Sequence, residues 1–168
     1  MVKTEERKIY KTRNDLPEVT RIKVIDILNS RLADAIDLYY QVKQAHWNVK
    51  GPNFIALHKL FDDIASAVAE YADLIAERIV QLGGTAEGTV RVSAKRSNLS
   101  EYPLAIANGK EHIEALSIAL SFFGNQARQA IDQTATLHDM DTSDIFTEVS
   151  RGIDKYLWFV EAHVQADN

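Results

Sequence analysis

Apolar residues recur three and four positions apart along most of the chain, and the pattern breaks at a few Gly, Pro and Asn positions. The first run starts near Pro17, which suits a first helical turn, and continues to about Lys50. Ile22, Ile25, Leu28, Leu32, Ile36 and Tyr39 form its inward stripe. Gly51-Pro52-Asn53 stops it, because Gly fits the residue past a helix end and Pro cannot continue the helix before it. A second helix is predicted from about Asn53 to Leu82, where Gly83-Gly84 ends it. Leu57, Leu60, Phe61, Ile64, Val68, Tyr71, Leu74 and Ile75 supply its apolar side. Residues 83–108 form a longer connection with a short helical piece around Thr89–Lys95 and the bases Arg91, Lys95 and Arg96. The third long helix starts after Asn108, with Glu111 as a capping-box partner, and reaches about Leu137. The fourth starts at Asp141, with Asp144 as the matching acid, and ends near Val164. Ile145, Val149, Ile153, Tyr156 and Phe159/Val160 face inward from it. The expected fold is all-α: four long helices, with a crossover that makes the second and third run parallel.

The turn at Gly51-Pro52-Asn53 brings chemistry together. In an antiparallel hairpin, residues equidistant from the turn lie level, so His46 and His58 face each other. On the second helix, side chains advance about 100° per residue. With His58 at zero, Asp62 falls at roughly 40°, Asp73 at roughly 60° and Glu77 at roughly 100°, all on one face. One chain cannot gather them, since His58 and Asp73 are roughly 22 Å apart along the helix. A second copy, antiparallel across a two-fold axis, does so. His58 with Glu77 and Asp62 with Asp73 share one midpoint, between Ala67 and Val68, so a single axis builds two equivalent sites. Ala65, Ser66, Ala69, Ala72 and Ala76 lie on the same face and let two backbones approach.

Composition narrows the picture. A chain of 168 residues, 26% charged and 46% apolar, is one globular domain with room for a core. A net charge of −5 argues against a conventional nucleic-acid-binding body. With no cysteine, disulfides, thiolate metal sites and thiol catalysis are excluded. No apolar run approaches the ~18 residues of a membrane span. The polar start Met-Val-Lys-Thr-Glu-Glu-Arg-Lys is no signal peptide, so a cytoplasmic protein is expected.

Two charged segments have alternative readings. Residues 1–15 are expected to be a flexible basic tail ahead of the domain at 16–168. Lys3, Arg7, Lys8, Lys11 and Arg13 outweigh its acids. Such a tail is either a weak DNA-phosphate-binding element, strengthened when many copies act together, or a solubilising extension. Asp139, Asp141, Asp144 and Glu148 cluster at the start of the fourth helix. Acids there act as capping and dipole partners; around a three-fold axis they would also form a ring that draws cations inward.

Four long helices with one long crossover are the ferritin-like bundle arrangement. The segments Lys43-Gln44-Ala45-His46-Trp47-Asn48, Gly51-Pro52-Asn53-Phe54, His58, Asp62, Asp73-x-x-x-Glu77-Arg78 and Gln81-Leu82-Gly83-Gly84 resemble the Dps family of mini-ferritins. Tyr102-Pro103-Leu104 and Asp154–Glu161 extend the resemblance over nearly the whole chain. It implies a dodecameric shell built on two-fold dimers. It also implies ferroxidase centres with His46, His58 and Asp62 from one subunit and Asp73 and Glu77 from its mate. Fe(II) is then oxidised, preferentially by hydrogen peroxide, and stored as ferric mineral, which protects DNA. Trp47 would trap stray oxidising equivalents, and Asp139, Asp144 and Glu148 would line the pore through which iron enters. Nucleoid association by DNA-binding tails is the alternative function.

Two imidazoles and three carboxylates suit Fe(II) but also accept Zn(II), Co(II) or Mn(II). A di-iron site inside each bundle, built on Glu-x-x-His pairs, is excluded because no Glu is followed by His three residues later. Met1 and Met140 are the only methionines, which argues against a Met-ligated haem.

Overall fold

The computed structural model describes residues 8–166. In order, these form α1 (Glu18–Asn48), α2 (Phe54–Gln81), α3 (Val90–Arg96), α4 (Gly109–Thr136) and α5 (Met140–Glu161). The long helices make two hairpins, α1 with α2 and α4 with α5, closed into a four-helix bundle with α3 lying on α1. Leu28, Leu38, Phe61, Ile75, Leu116, Phe123 and Phe146 are fully enclosed at its centre.

Local chemistry sets the boundaries. Gly51 turns the chain at φ +116°, between Asn48 and Phe54. At the end of α2, Gly83 N–H donates to Val80 O and Gly84 N–H to Ile79 O, with Gly83 at φ +86°. This paired pattern is the left-handed C-terminal cap that glycine favours. The end of α4 repeats it with His138 N–H on Ala135 O and Asp139 N–H on Thr134 O. Here, however, the left-handed residue is His138, at φ 61°. The predicted capping box of α4 is present: Glu111 N–H donates to Asn108 Oδ1 at 3.0 Å, and Asn108 N–H to Glu111 Oε2 at 3.2 Å.

The crossover returns along the full bundle. Lys50 N–H donates to Ala107 O at 2.9 Å, so α4 starts beside the α1–α2 turn and runs parallel to α2. Buried side chains of α1 hold the connection: Asp34 Oδ1 accepts from Asn98 N–H at 2.8 Å, and Gln41 donates to Ser100 O at 2.9 Å.

Three sequence expectations change. Ile22 is exposed, and Val24, Leu38 and Val42 carry the stripe instead, because apolar residues of α1 occupy more than one face. On α5, Val160 is buried while Phe159 is exposed. That helix also begins at Met140 rather than Asp141, with Asp139 as its N-cap accepting from Thr142 N–H. The capping chemistry was anticipated, but one acid too late.

Candidate metal centre

The hairpin places His46 and His58 level, as their spacing requires. Their rings stack with centroids 3.8 Å apart and planes 20° from parallel. Each Nδ1 lies against the other residue's backbone: His46 Nδ1 is 2.8 Å from His58 O, and His58 Nδ1 is 2.9 Å from His46 O. A carbonyl oxygen only accepts, so both Nδ1 atoms carry the proton and donate. In the neutral form of each ring the lone pair then sits on Nε2. Fixing one ring nitrogen to free the other for a cation is the usual support for a metal-binding histidine.

Asp62 stands beside His46. Its Oδ1 lies 3.9 Å from His46 Nε2 and 2.7 Å from Lys43 Nζ. The Lys43 ammonium donates to this carboxylate and, with the same charge and the two imidazoles, holds it below the usual carboxylate range. Lys43 also sits over the Trp47 ring, 5.8 Å from its centroid, and Trp47 is 61% exposed. Lys43 is a site residue to which metal-ligand chemistry alone does not point. The signal was present: Lys43 and Asp62 share the midpoint of His46 and His58 to within half a residue.

Asp73 and Glu77 lie further along α2, both exposed. Among the described residues, no three His, Asp or Glu side chains of one chain come together to hold an ion. Asp73 instead borders a shallow apolar groove of about 390 Å³ with Ile36, Tyr39, Tyr40, Ala69, Ala72 and Ala76. Of the expected small-residue face, Ala69, Ala72 and Ala76 line this open groove with one ligand candidate at its edge, whereas Ala65 is buried in the core and Ser66 lines a separate groove.

The expected pore acids separate. Asp139 is 2% exposed; it accepts from Arg78 Nη2 at 2.8 Å and from Thr142 Oγ1 at 2.6 Å. It is tied into the contact between α2 and the start of α5. Asp144 and Glu148 are exposed. Of the tail bases, Lys3 and Arg7 lie outside the described residues. Lys8, Lys11 and Arg13 are exposed, but their segment does not stand off from the bundle. Tyr10 N–H donates to Gly83 O at 2.8 Å, and Ile9 and Leu16 pack against the core.

Comparison with known proteins agrees with this geometry. A family model described as a ferritin-like domain matches residues 25–168. The chain is 48% identical over 158 residues to a DNA protection during starvation protein of Agrobacterium fabrum, covering 94% of this chain and 98% of that one. Among solved structures, DpsA14 from Streptomyces coelicolor superposes with a TM-score of 0.89 at 30% identity, covering 95% of each chain. Dps from Microbacterium arborescens in the high iron form superposes at 0.82 with 30% identity, over 94% of this chain and 99% of that one. With the bundle, the crossover and the paired histidines in place, the chain belongs to the ferritin-like proteins and, within them, to the Dps family.

Proposed function

We propose that this protein is a ferroxidase that oxidises Fe(II) with hydrogen peroxide at centres shared between two subunits and keeps the ferric product inside a dodecameric shell. Removing both reactants limits hydroxyl-radical formation and so protects DNA. The observation that carries this is the reciprocal histidine lock, which occupies both Nδ1 atoms, stacks the two rings and sets His46 Nε2 3.9 Å from Asp62 Oδ1. His46, His58 and Asp62 of one chain, with Asp73 and Glu77 of its mate, would hold the iron substrate. The open alanine face beside Asp73 supports a second chain there, because an uncovered apolar groove is otherwise exposed to water.

The residues have distinct roles. The imidazoles bind Fe(II) as neutral donors and keep their orientation through Nδ1. Carboxylates favour the ferric state over the ferrous state, so oxidation is drawn forward in place. Lys43 occupies Asp62 until a cation displaces its ammonium, which neutralises the carboxylate in the metal-free protein. Trp47, exposed beside this cluster, is placed to donate an electron to oxidants that escape. Asp144 and Glu148, without Asp139, remain as acids that draw cations inward. Zn(II) fits the same donors and would act as a competitor.

The test is anaerobic Fe(II) addition followed by a peroxide pulse, on wild type and on a His46→Ala/His58→Ala variant. Fast oxidation with a soluble ferric product in wild type alone is expected. Equal, slow oxidation in both variants would remove the proposal.

A second function, DNA binding by the tails, draws on the name of the Agrobacterium relative and on Lys3, Arg7, Lys8, Lys11 and Arg13. Such binding would be weak and salt-sensitive, because few phosphates are neutralised per arm. Residues 8–16 lie on the bundle, so deleting 1–7 isolates the contribution of Lys3 and Arg7. Mobility shifts at two salt concentrations, on this deletion and on a deletion of 1–15, separate the two halves of the tail. The protein would act in the cytoplasm, and at the nucleoid only if this binding is found.

A further inference from the structure

One polar pair, a buried histidine and a half-buried tyrosine, has no part in the metal centre. The crossover approaches α4 through Tyr102, whose phenol oxygen lies 2.6 Å from His112 Nδ1, with the two rings 18° from parallel. His112 is 1% exposed, and its Nε2 has no hydrogen-bond partner among the described residues. Burial pushes the Tyr102 phenol up and the His112 imidazole down; Glu111 opposes the latter shift and Lys50 adds to it. At neutral pH the pair is therefore a protonated phenol in contact with a neutral base. A half-buried phenol resists losing an electron alone, because the cation left behind is less well solvated than in water. A base in contact lets the proton leave with the electron.

The pair also lies on a short route from the metal end. His112 N–H donates to Asn108 O, Asn108 is bridged to Lys50, and Lys50 follows Trp47 by three residues. The route is one helical turn of about 5.4 Å, one backbone bridge and the short stretch from Lys50 back through Val49 to Trp47 at the end of α1. On its other side Tyr102 lines an open, mostly apolar cleft of about 510 Å³ with Pro103, Ile106, Ile118 and Phe122, which a small oxidant can enter.

We propose that Tyr102 and His112 are a redox-active pair: Tyr102 gives one electron to oxidants that escape the iron reaction, and its phenolic proton passes to His112 Nδ1. This rests on the iron–peroxide chemistry proposed above. A hydroxyl radical takes the electron and becomes hydroxide. Tyr102 becomes a neutral tyrosyl radical, and His112 becomes an imidazolium. A further Fe(II) then reduces the radical and becomes Fe(III), while His112 returns the proton to the phenolic oxygen. The net change converts one hydroxyl radical and one Fe(II) to hydroxide and Fe(III).

The test needs no iron. Metal-free protein is oxidised with azide radicals in pulse radiolysis, which attack the exposed Trp47 and Trp158 first. In wild type, the tryptophanyl signal should pass into a neutral tyrosyl radical, read optically and by electron paramagnetic resonance, more slowly in D2O than in H2O. Tyr102→Phe should lose that radical, and His112→Gln, which keeps an acceptor but no base, should cut its yield. An unchanged radical in either variant overturns the pair, as does wild-type formation with no isotope effect. The isotope measurement decides the matter if the variants fail to fold. Freeze-quenched samples after Fe(II) and peroxide then repeat the comparison. If wild type fails to oxidise iron, the ferroxidase proposal falls while the radiolysis result stands.

Discussion

Asp139→Ala separates a structural acid from a pore acid. Asp139 accepts three hydrogen bonds, from Arg78 Nη2 (2.8 Å), Thr142 N–H (3.1 Å) and Thr142 Oγ1 (2.6 Å). The side chains of Arg78 and Asp139 are 7% and 1% exposed. Without Asp139 the guanidinium keeps only neutral partners, Thr142 Oγ1 and Gln81 Oε1, and the exposed Asp141 at 3.8 Å. Breaking one side of a buried pair costs about 3–5 kcal/mol. The lost N-cap, about 1 kcal/mol alone, falls within that range because the same carboxylate makes both contacts. Chemical denaturation of assembled protein measures the loss. Asp139→Leu combined with Arg78→Met should recover part of it, since no lone charge then remains buried. By contrast, Asp144→Ala and Glu148→Ala should change stability by less than about 0.5 kcal/mol while slowing Fe(II) uptake. A loss below about 1 kcal/mol for Asp139→Ala, with slowed uptake, would refute the structural assignment and return Asp139 to the pore.

Other outcomes follow from the same structure. His138→Gly should stabilise the α4–α5 turn by about 1 kcal/mol, because the left-handed backbone strains a side-chain-bearing residue; an unchanged thermal midpoint would contradict this. Lys43→Gln should tighten Fe(II) binding in anaerobic calorimetry, since no ammonium has to be displaced from Asp62, and weaker binding would show that Lys43 helps hold the metal. The native His112 pKa is lowered by burial, so the unfolded chain takes up a proton first as pH falls. Stability should therefore decline below the ordinary histidine pKa of about 6.5 and level off beneath the native value, and His112→Gln should flatten that slope in a thermal-midpoint series.

The sequence was most legible where one residue type has one physical use. Gly51 and Gly83 end helices at positive φ, and Asn108 and Glu111 cap each other. The level pair His46–His58 follows from antiparallel register alone. Charge was less legible, because an acid near a helix start serves as cap, ion-pair partner or pore lining according to what approaches it. Arg78 comes from 61 residues away to claim Asp139, and no local pattern announces that. Burial of the tail was hidden for a similar reason. Basic residues at 8, 11 and 13 masked the anchors Ile9 and Leu16, and the Gly83 carbonyl that receives Tyr10 is far along the chain. Tyr102 stands out only within the Tyr102-Pro103-Leu104 segment, and nothing in the sequence joins it to His112, because a lone His among apolar neighbours carries no motif.

The central claim is that each iron centre takes ligands from two chains, and mixed assembly tests it directly. His58→Ala and Glu77→Ala chains are each prepared alone, then dissociated, mixed in equal amounts and reassembled. In a two-fold pair of unlike chains, one site carries both defects and the other is intact. With random pairing, half the pairs are mixed, so about a quarter of the wild-type peroxide-driven Fe(II) oxidation should return, from two preparations that are each inactive. Activity that stays absent on mixing, while mass measurement shows that mixed pairs have formed, would contradict a shared centre.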